Sequence, residues 1–183
     1  MNPNDPQWDL LVKLTLGENI HSERKKSFIL SRRALQLCLE EQGVHLRPHE
    51  LILLKYSTLK DFPEFTLSLA HTKGSGAALL ADSSTYRSVG IDIESIHRPV
   101  KESVIKRVGH SDDDGSLRNI ELWCLKEAAF KAIMNTGDFE KPVEFSSIRI
   151  STGLWSHSPS GVEGEWDLEI QNGIVIARAF LKN

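Results

Sequence analysis

The amino-acid sequence predicts an α+β fold made of two similar halves, residues 1–87 and 88–183. Each half reads as a long helix, at 22–42 or 117–135, followed by several antiparallel strands. Strands that cluster after helices favour an α+β fold over a parallel βαβ sheet. An Asn172-Gly173 hairpin signal supports antiparallel pairing near the end of the chain. The halves share no evident sequence repeat, so the duplication is inferred from element order alone.

The N-terminal half is predicted to contain one helix and four strands. Residues 1–7 form a loose tail, and the apolar stretch 8–16 forms a first strand. A helix begins at Ser22 and ends at about residue 42, because Gly43 is a stop signal. The later elements are a strand at 51–54, a loop at 60–63 and strands at 65–70 and 77–81. The strand at 65–70 leads directly to His71.

The C-terminal half is predicted to begin with a strand at 89–94. The elements after it are a short helix at 100–108, an acidic loop at 111–115, a helix at 117–135, strands at 144–152, 164–171 and 174–182, and a polar loop at 155–161. The acidic loop lacks the ligand spacing and closing Glu of a calcium loop, which excludes that kind of site.

The helix at 22–42 carries the most basic part of the chain. Its cations are Arg24, Lys25, Lys26, Arg32 and Arg33. Phe28, Leu35 and Leu39 form its apolar stripe, and Arg32 falls at the edge of that stripe. The alternative is a solvated helical face on which Arg32 only lays its stem over apolar surface.

Two acidic residues stand out in the strand at 89–94. Val89, Ile91 and Ile93 alternate with Gly90, Asp92 and Glu94, the pattern of a half-buried strand. Asp92 and Glu94 then point the same way, roughly 6.6–7 Å apart along the strand. Two carboxylates facing one point favour a hard divalent cation such as Mg²⁺, which takes oxygen ligands. The alternative is a polar strand face in water.

A third carboxylate lies on the helix at 117–135, which is apolar nearly all round and is therefore expected to be buried. Trp123, Glu127 and Lys131 share one face at a spacing of four residues. An exposed Glu–Lys pair at this spacing contributes only ~0.2–0.5 kcal/mol, whereas burying its charges costs several kcal/mol per ion. Such charges favour a metal or phosphate site, although a less buried stripe would also explain them.

The combined charges suit a Mg²⁺-pyrophosphate substrate. The carboxylates are Asp92, Glu94 and Glu127, and the cations able to hold phosphates are Arg32, His71, Lys126 and Lys131.

Two motifs resemble those of the 4′-phosphopantetheinyl transferases. These are Gly-Ile-Asp-Ile-Glu at 90–94 and Trp-Cys-Leu-Lys-Glu-Ala-Ala-Phe-Lys at 123–131. The segment Leu-Ser-Leu-Ala-His at 67–71 is similar to a strand-end motif of the family, and 23–39 resembles its basic helix. The resemblance covers about residues 20–135 and fits the single-chain, pseudo-dimeric branch of the superfamily.

The resemblance implies transfer of 4′-phosphopantetheine from coenzyme A to a serine of an apo acyl or peptidyl carrier protein, with release of 3′,5′-ADP. It implies that Mg²⁺, or Mn²⁺ in its place, is held by Asp92, Glu94 and Glu127. It assigns catalytic roles to Glu127, which also helps to deprotonate the serine, and to Lys131, which neutralises the leaving phosphate. The implied coenzyme A ligands are Lys25, Lys26, Arg32, His71, Lys126 and Lys131, with His71 and Arg32 on the 3′-phosphate.

Two departures from the family pattern leave alternatives open. Ala70 stands where the family usually has Ser, and the Gly-Lys-Pro-like segment is here Lys-Asp-Phe-Pro at 60–63. One alternative is therefore a coenzyme A- or nucleotide-binding module of the same fold without transfer activity. Another is an interaction domain without a small-molecule site.

Composition narrows the partners and the compartment. The 183 residues are 40% apolar and 26% charged, which is typical of one globular domain or two small ones. A net charge of −3 gives no indication of nucleic acid binding. Cys38 and Cys124 are expected to be buried thiols of a reducing compartment, and no apolar run reaches the length of a membrane span. We therefore expect a cytoplasmic monomer.

Overall fold

The computed structural model describes residues 6–18, 20–54, 57–138 and 143–183. Within these ranges the protein is α+β, with four α-helices and nine β-strands. The helices are α1 (Pro6–Leu16), α2 (Ser22–Glu41), α3 (Glu102–Val108) and α4 (Asn119–Asn135). The strands are β1 (Leu53–Leu54), β2 (Thr58–Leu59), β3 (Phe65–Thr72), β4 (Ser75–Asp82), β5 (Tyr86–Ser95), β6 (Ile148–Ser151), β7 (Leu154–His157), β8 (Val162–Gln171) and β9 (Ile174–Lys182). No helix in these ranges is both long enough and apolar enough to span a membrane.

The predicted first strand at 8–16 is wrong, because this stretch is helix α1. Trp8, Leu11 and Val12 are its buried residues, and their spacing of three and four is the spacing of one helical face. The neighbouring leucines Leu10 and Leu14 are exposed and conceal this period in the sequence. Residues 6 and 7 of the predicted tail also belong to α1, and its residues 1–5 lie outside the described ranges.

The predicted polar loop at 155–161 is also wrong in its first part. Trp155 belongs to β7 and is fully buried, and its indole Nε1 donates to the Glu165 carbonyl at 3.0 Å. The predicted strand at 144–152 is a 3₁₀ turn, Phe145–Ser147, followed by the shorter β6. The other predicted helices and strands are confirmed, with shifted ends.

Helix α4 covers one face of a five-stranded antiparallel sheet with the order β5-β9-β8-β7-β6. The small residues Ala177 and Ala179 of β9 are buried in the core that α4 shares with the sheet. On β5, a Cβ added to Gly90 would lie 1.9 Å from the Ala128 carbonyl oxygen of α4. The close approach of helix and strand therefore requires glycine at position 90.

Helix α2 lies against the β3–β4 hairpin in a second core, which also includes α1. A Cβ added to Gly76 of β4 would lie 2.3 Å from the Leu30 carbonyl carbon. His71 pairs with Gly76 across the hairpin. The close contact at Gly76 thus brings the end of β3 towards α2.

The two parts of the molecule meet where β3 lies beside β5, although these strands belong to different sheets. The backbone N–H of Ile91 donates to Ser68 Oγ at 3.1 Å. Asn135 Nδ2 donates to the carbonyls of Leu67 at 3.4 Å and Val89 at 2.9 Å. These side-chain contacts, which we call the β3–β5 seam, bring the ends of β3 and β5 together.

Candidate active site

Asp92 and Glu94 point from β5 towards α4, on the face that also carries Gly90. Their register partners on β9 are Ala177 and Val175, both buried in the core shared with the helix. The side chains of Asp92 and Glu94 are only 11% and 12% exposed. The alternative of a polar strand face in water is therefore wrong.

Each oxygen of the Asp92 carboxylate has a different donor. Lys131 Nζ lies 2.8 Å from Oδ1 and also donates to the Ile91 carbonyl at 2.9 Å. The Cys124 thiol lies 3.4 Å from Oδ2. Asp92 is thus held between a cation and a neutral donor, both supplied by α4.

Glu94 also has a different donor for each carboxylate oxygen, but neither donor belongs to α4. One carboxylate oxygen forms an ion pair with Arg98, and the other accepts from Thr72 Oγ1 at 3.3 Å. Arg98 also lies 5.8 Å from the centroid of the Trp123 ring. Ala70 is buried with Ile91 and Ile93 in a cluster at the β3–β5 seam, so this departure from the family pattern falls in a core position.

Glu127 is partly buried on the face of α4 that also carries Lys131. Burial raises the pKa of the Glu127 carboxyl, the charge of Asp92 raises it further, and Lys131 and Arg98 oppose that rise. Three carboxylates and two cations therefore act on one another at the junction of β5 and α4.

Oxygen donors of this kind fit a hard divalent cation such as Mg²⁺. Within the described ranges, however, no group of three or more His, Cys, Asp and Glu side chains is arranged to hold a metal ion. Asp92 and Glu94 contact Lys131 and Arg98 instead. Binding a cation would require these two basic side chains to release the carboxylates.

A cavity of about 260 Å³ opens beside this junction. It is lined by residues from both parts of the molecule: Ser31, Arg32, Leu53, Ser68, Leu69, His71, Lys131 and Asn135. Lys131 belongs both to the cavity wall and to the contacts of Asp92. The cavity is therefore joined to the Asp92 carboxylate through the Lys131 side chain.

Arg32 is the most informative residue of the cavity. Its guanidinium carbon lies 4.0 Å from the centroid of the Phe28 ring, and its Nε is buried without a hydrogen-bond partner. No carboxylate in the described part of the chain lies within ion-pair distance of it. Burial lowers the pKa of Arg32 to about 10, so the guanidinium is still charged at neutral pH. A partly desolvated cation without an anion is costly and favours an anionic ligand.

His71 is an exposed residue that lines the same cavity. Partial burial lowers the pKa of its imidazole, and the charge of Lys131 lowers it again; Asp92 opposes this effect, and Arg32 adds to it. The neutral ring is thereby favoured while the neighbouring cations have no ligand.

Three predicted coenzyme A ligands lie outside this cavity. Lys25 forms an ion pair with Asp9 at 2.6 Å, and Lys26 forms an exposed pair with Glu23 at 3.0 Å. Lys126 is fully buried, its Nζ lies 2.8 Å from Asp113 Oδ2, and it also donates to the Ile148 carbonyl. In this arrangement Lys126 ties α4 to the 110–114 loop and to β6 and faces no phosphate site.

Sequence reasoning missed several neighbours of the site. Thr72 directly follows His71 in the sequence, and Cys124 directly follows Trp123. Inspection of the positions next to each motif could therefore have found both residues. Arg98 follows Glu94 by four residues, a spacing that could have indicated the ion pair between them. The contribution of Asn135 depends on the β3–β5 seam, for which the sequence has no local pattern.

Comparison with known proteins does not assign the chain to a family. The chain matches no protein-family model, and no curated protein gives a significant match to it.

Proposed function

We propose that this chain transfers 4′-phosphopantetheine from coenzyme A to a serine of an apo acyl or peptidyl carrier protein, in a Mg²⁺-dependent reaction. The observation that carries the proposal is the half-buried Arg32, whose buried Nε has no hydrogen-bond partner and whose charge meets no carboxylate in the described ranges, in a cavity shared with His71 and Lys131. Lys131 connects that cavity to Asp92. Coenzyme A supplies both a 3′-phosphate and a diphosphate, and these groups match a cationic cavity that adjoins carboxylates.

The two-part arrangement is compatible with the pseudo-dimeric branch of the transferase family, which we propose as the fold. Each part has a long helix against antiparallel strands, α2 on β3–β4 and α4 on β5–β9. Each helix approaches a strand at a glycine, Gly76 or Gly90.

In the proposed reaction, the carrier serine oxygen attacks the phosphorus atom that bears the pantetheine arm. The bond from that phosphorus to the bridging oxygen breaks, and 3′,5′-ADP leaves. The serine proton passes to Glu127, directly or through water, since a carboxylate within reach of the attacking hydroxyl can act as the general base. Lys131 releases Asp92 and forms an ion pair with the leaving phosphate instead. Arg32 and His71 hold the 3′-phosphate.

The metal would be held by Asp92, Glu94 and Glu127, and it would neutralise the diphosphate as a Lewis acid. Mn²⁺ accepts the same oxygen ligands and is expected to substitute. The residues' own share of the reaction is positioning and charge neutralisation, which account for most of the catalysis of phosphoryl transfer.

The test is to incubate the protein with coenzyme A, Mg²⁺ and a panel of apo carrier proteins and to weigh the carriers by mass spectrometry. We expect at least one carrier to gain the mass of a phosphopantetheine group. Asp92→Asn, which keeps the size of the side chain, should abolish the gain while the protein stays folded. If the folded wild type modifies no carrier in the panel, the proposal loses its support.

The second candidate is a coenzyme A- or nucleotide-binding module that does not catalyse transfer. The ion pairs of Asp92 with Lys131 and of Glu94 with Arg98 favour it, because they occupy the carboxylates that the metal needs. Titration calorimetry separates the two candidates. Coenzyme A binding that is unchanged by Mg²⁺ and is accompanied by no transfer would favour the module.

A further inference from the structure

Cys124 lies on the face of α4 that is turned towards the sheet, and it is fully buried. Its Sγ is 3.4 Å from Asp92 Oδ2 and 3.8 Å from the Val175 carbonyl oxygen. The proposed function gives this thiol no role.

A thiol has one proton and can direct it at only one of these acceptors at a time. The Asp92 carboxylate is the closer acceptor, and a hydrogen bond to an ionised group is the stronger one. An ordinary cysteine thiol has a pKa of about 8–9 and is therefore a protonated donor at neutral pH.

The two donors to Asp92 differ in their freedom to leave. Lys131, whose side chain is 28% exposed, lines the cavity and can turn towards a phosphate. Cys124 is fixed by the packing of α4 on β5, where Gly90 brings the two backbones together. When Lys131 moves to a ligand, Oδ1 becomes available and Oδ2 keeps its partner.

We propose that Cys124 is a positioning residue, which holds Oδ2 of Asp92 so that Oδ1 is the oxygen turned towards the metal-bound diphosphate. This inference rests on the proposed function, because it assigns Asp92 to the metal. It explains how a carboxylate between a strand and a helix keeps one orientation after its ion pair has opened.

The first experiment measures Mn²⁺ binding in the presence of coenzyme A by electron paramagnetic resonance. We expect Cys124→Ala to weaken Mn²⁺ binding by about 10-fold, the lower end of the range for residues that orient metal ligands. Cys124→Ser keeps a donor and should recover most of the affinity. Cys38→Ala is the matched control, because Cys38 is a partly buried cysteine on α2 whose thiol lies 3.8 Å from the Ala78 carbonyl oxygen. This variant should bind like wild type.

Three outcomes overturn the inference in distinguishable ways. Wild-type affinity in a folded Cys124→Ala variant removes the positioning role and leaves the proposed function intact. Equal losses in Cys124→Ser and Cys124→Ala show that packing, and not the donor, is what matters. Absence of Mn²⁺ and coenzyme A binding in the wild type removes the proposed function and, with it, the role of Cys124.

A second measurement does not depend on the folding of Cys124→Ala. The infrared S–H stretch of Cys124 can be recorded in the Cys38→Ala background, where Cys124 is the only thiol of the chain. A hydrogen bond to a carboxylate lowers this frequency, so we expect Asp92→Ala to move the band upward. An unchanged band would show that the thiol does not donate to Asp92.

Discussion

At the scale of single residues, Arg32 has a desolvation cost that no anionic partner in the described ranges offsets. Its guanidinium is desolvated, contacts the Phe28 ring and the Ser31 hydroxyl, and meets no carboxylate in the described ranges. A partly desolvated charge without an anionic partner costs free energy, so an apolar residue of similar length is expected to replace it without loss of stability. The charge is therefore better explained by a ligand than by the fold.

We expect Arg32→Met to leave the free energy of unfolding unchanged or to raise it by about 1 kcal/mol. Coenzyme A affinity should fall at least ~10-fold, because a hydrogen bond to a charged group contributes about 1.5–3 kcal/mol. Chemical denaturation and titration calorimetry measure the two effects. Arg24→Met, at an exposed position of the same helix, should change neither quantity, and a strongly destabilised Arg32→Met would indicate a structural role.

His71 predicts a pH dependence. Its pKa lies below the ordinary imidazole value of 6.5 because of burial and the charge of Lys131. The native state thus resists protonation, so His71 has no effect on stability well above pH 6.5 and lowers stability as the pH falls below that value.

A phosphate beside His71 reverses this preference, because it favours the charged ring. We expect coenzyme A binding at neutral pH to take up protons, and His71→Gln to take up fewer. Calorimetry in two buffers with different ionisation enthalpies measures the uptake. Equal uptake by the two proteins would place His71 away from the phosphates.

Residue types and spacings indicated Asp92, Glu94, Glu127, Lys131, His71 and Arg32 as one group. The structure places these residues in one region, and their roles stay a prediction. They did not predict the position of Lys126. Adjacent residues on a helix point about 100° apart, so Glu127 and Lys126 face different surroundings. The partner of Lys126 is Asp113, a contact between a helix and a distant loop that no local period reveals.

At the scale of elements, the position of α4 on β5 decides the geometry of the site. Since a Cβ at position 90 would overlap the backbone of α4 at Ala128, the helix could not keep its place. Asp92 would then lose its contacts with Cys124 and Lys131.

We expect Gly90→Ala to lower the free energy of unfolding by about 1–3 kcal/mol, as overpacking does, and to abolish transfer. Thermal unfolding and the carrier assay measure these effects. Gly115→Ala is the control, because a Cβ there meets nothing within 4 Å. A Gly90→Ala variant with wild-type stability would contradict the contact between β5 and α4.

The buried pair of Lys126 and Asp113 also belongs to this scale. Removing one partner of a buried ion pair typically costs about 3–5 kcal/mol. For Lys126→Met we expect a loss in the free energy of unfolding near the lower end of this range, because Asp113 still accepts hydrogen bonds from the backbone N–H groups of His110 and Ile150. Coenzyme A affinity of the folded variant should be unchanged in calorimetry. A drop in affinity without a loss of stability would restore Lys126 as a coenzyme A ligand.

Element type was predictable where apolar periodicity was regular, as in α2, α4, β5 and β9. It failed for α1, where adjacent leucines conceal the period, and for β7, where one buried Trp lies in a polar stretch. Short elements contain too few residues to establish a period, and tertiary burial then decides their conformation.

At the scale of the whole molecule, the α+β class followed from the order of helices and strands and is confirmed. The association of β3 with β5 was not predictable, because it depends on side chains such as Ser68 and Asn135 that bond to a distant backbone. This association is what brings Arg32 and His71 to the same cavity as Lys131.

Asn135 belongs to both the β3–β5 seam and the cavity wall. Its side chain donates to carbonyls of β3 and β5, and it also lines the cavity. The joint between the two parts of the protein is therefore one wall of the site. Under the proposed function, neither fragment of a bisected chain would carry all of Arg32, His71 and Lys131. The two pieces would have to reassociate before they could bind a diphosphate.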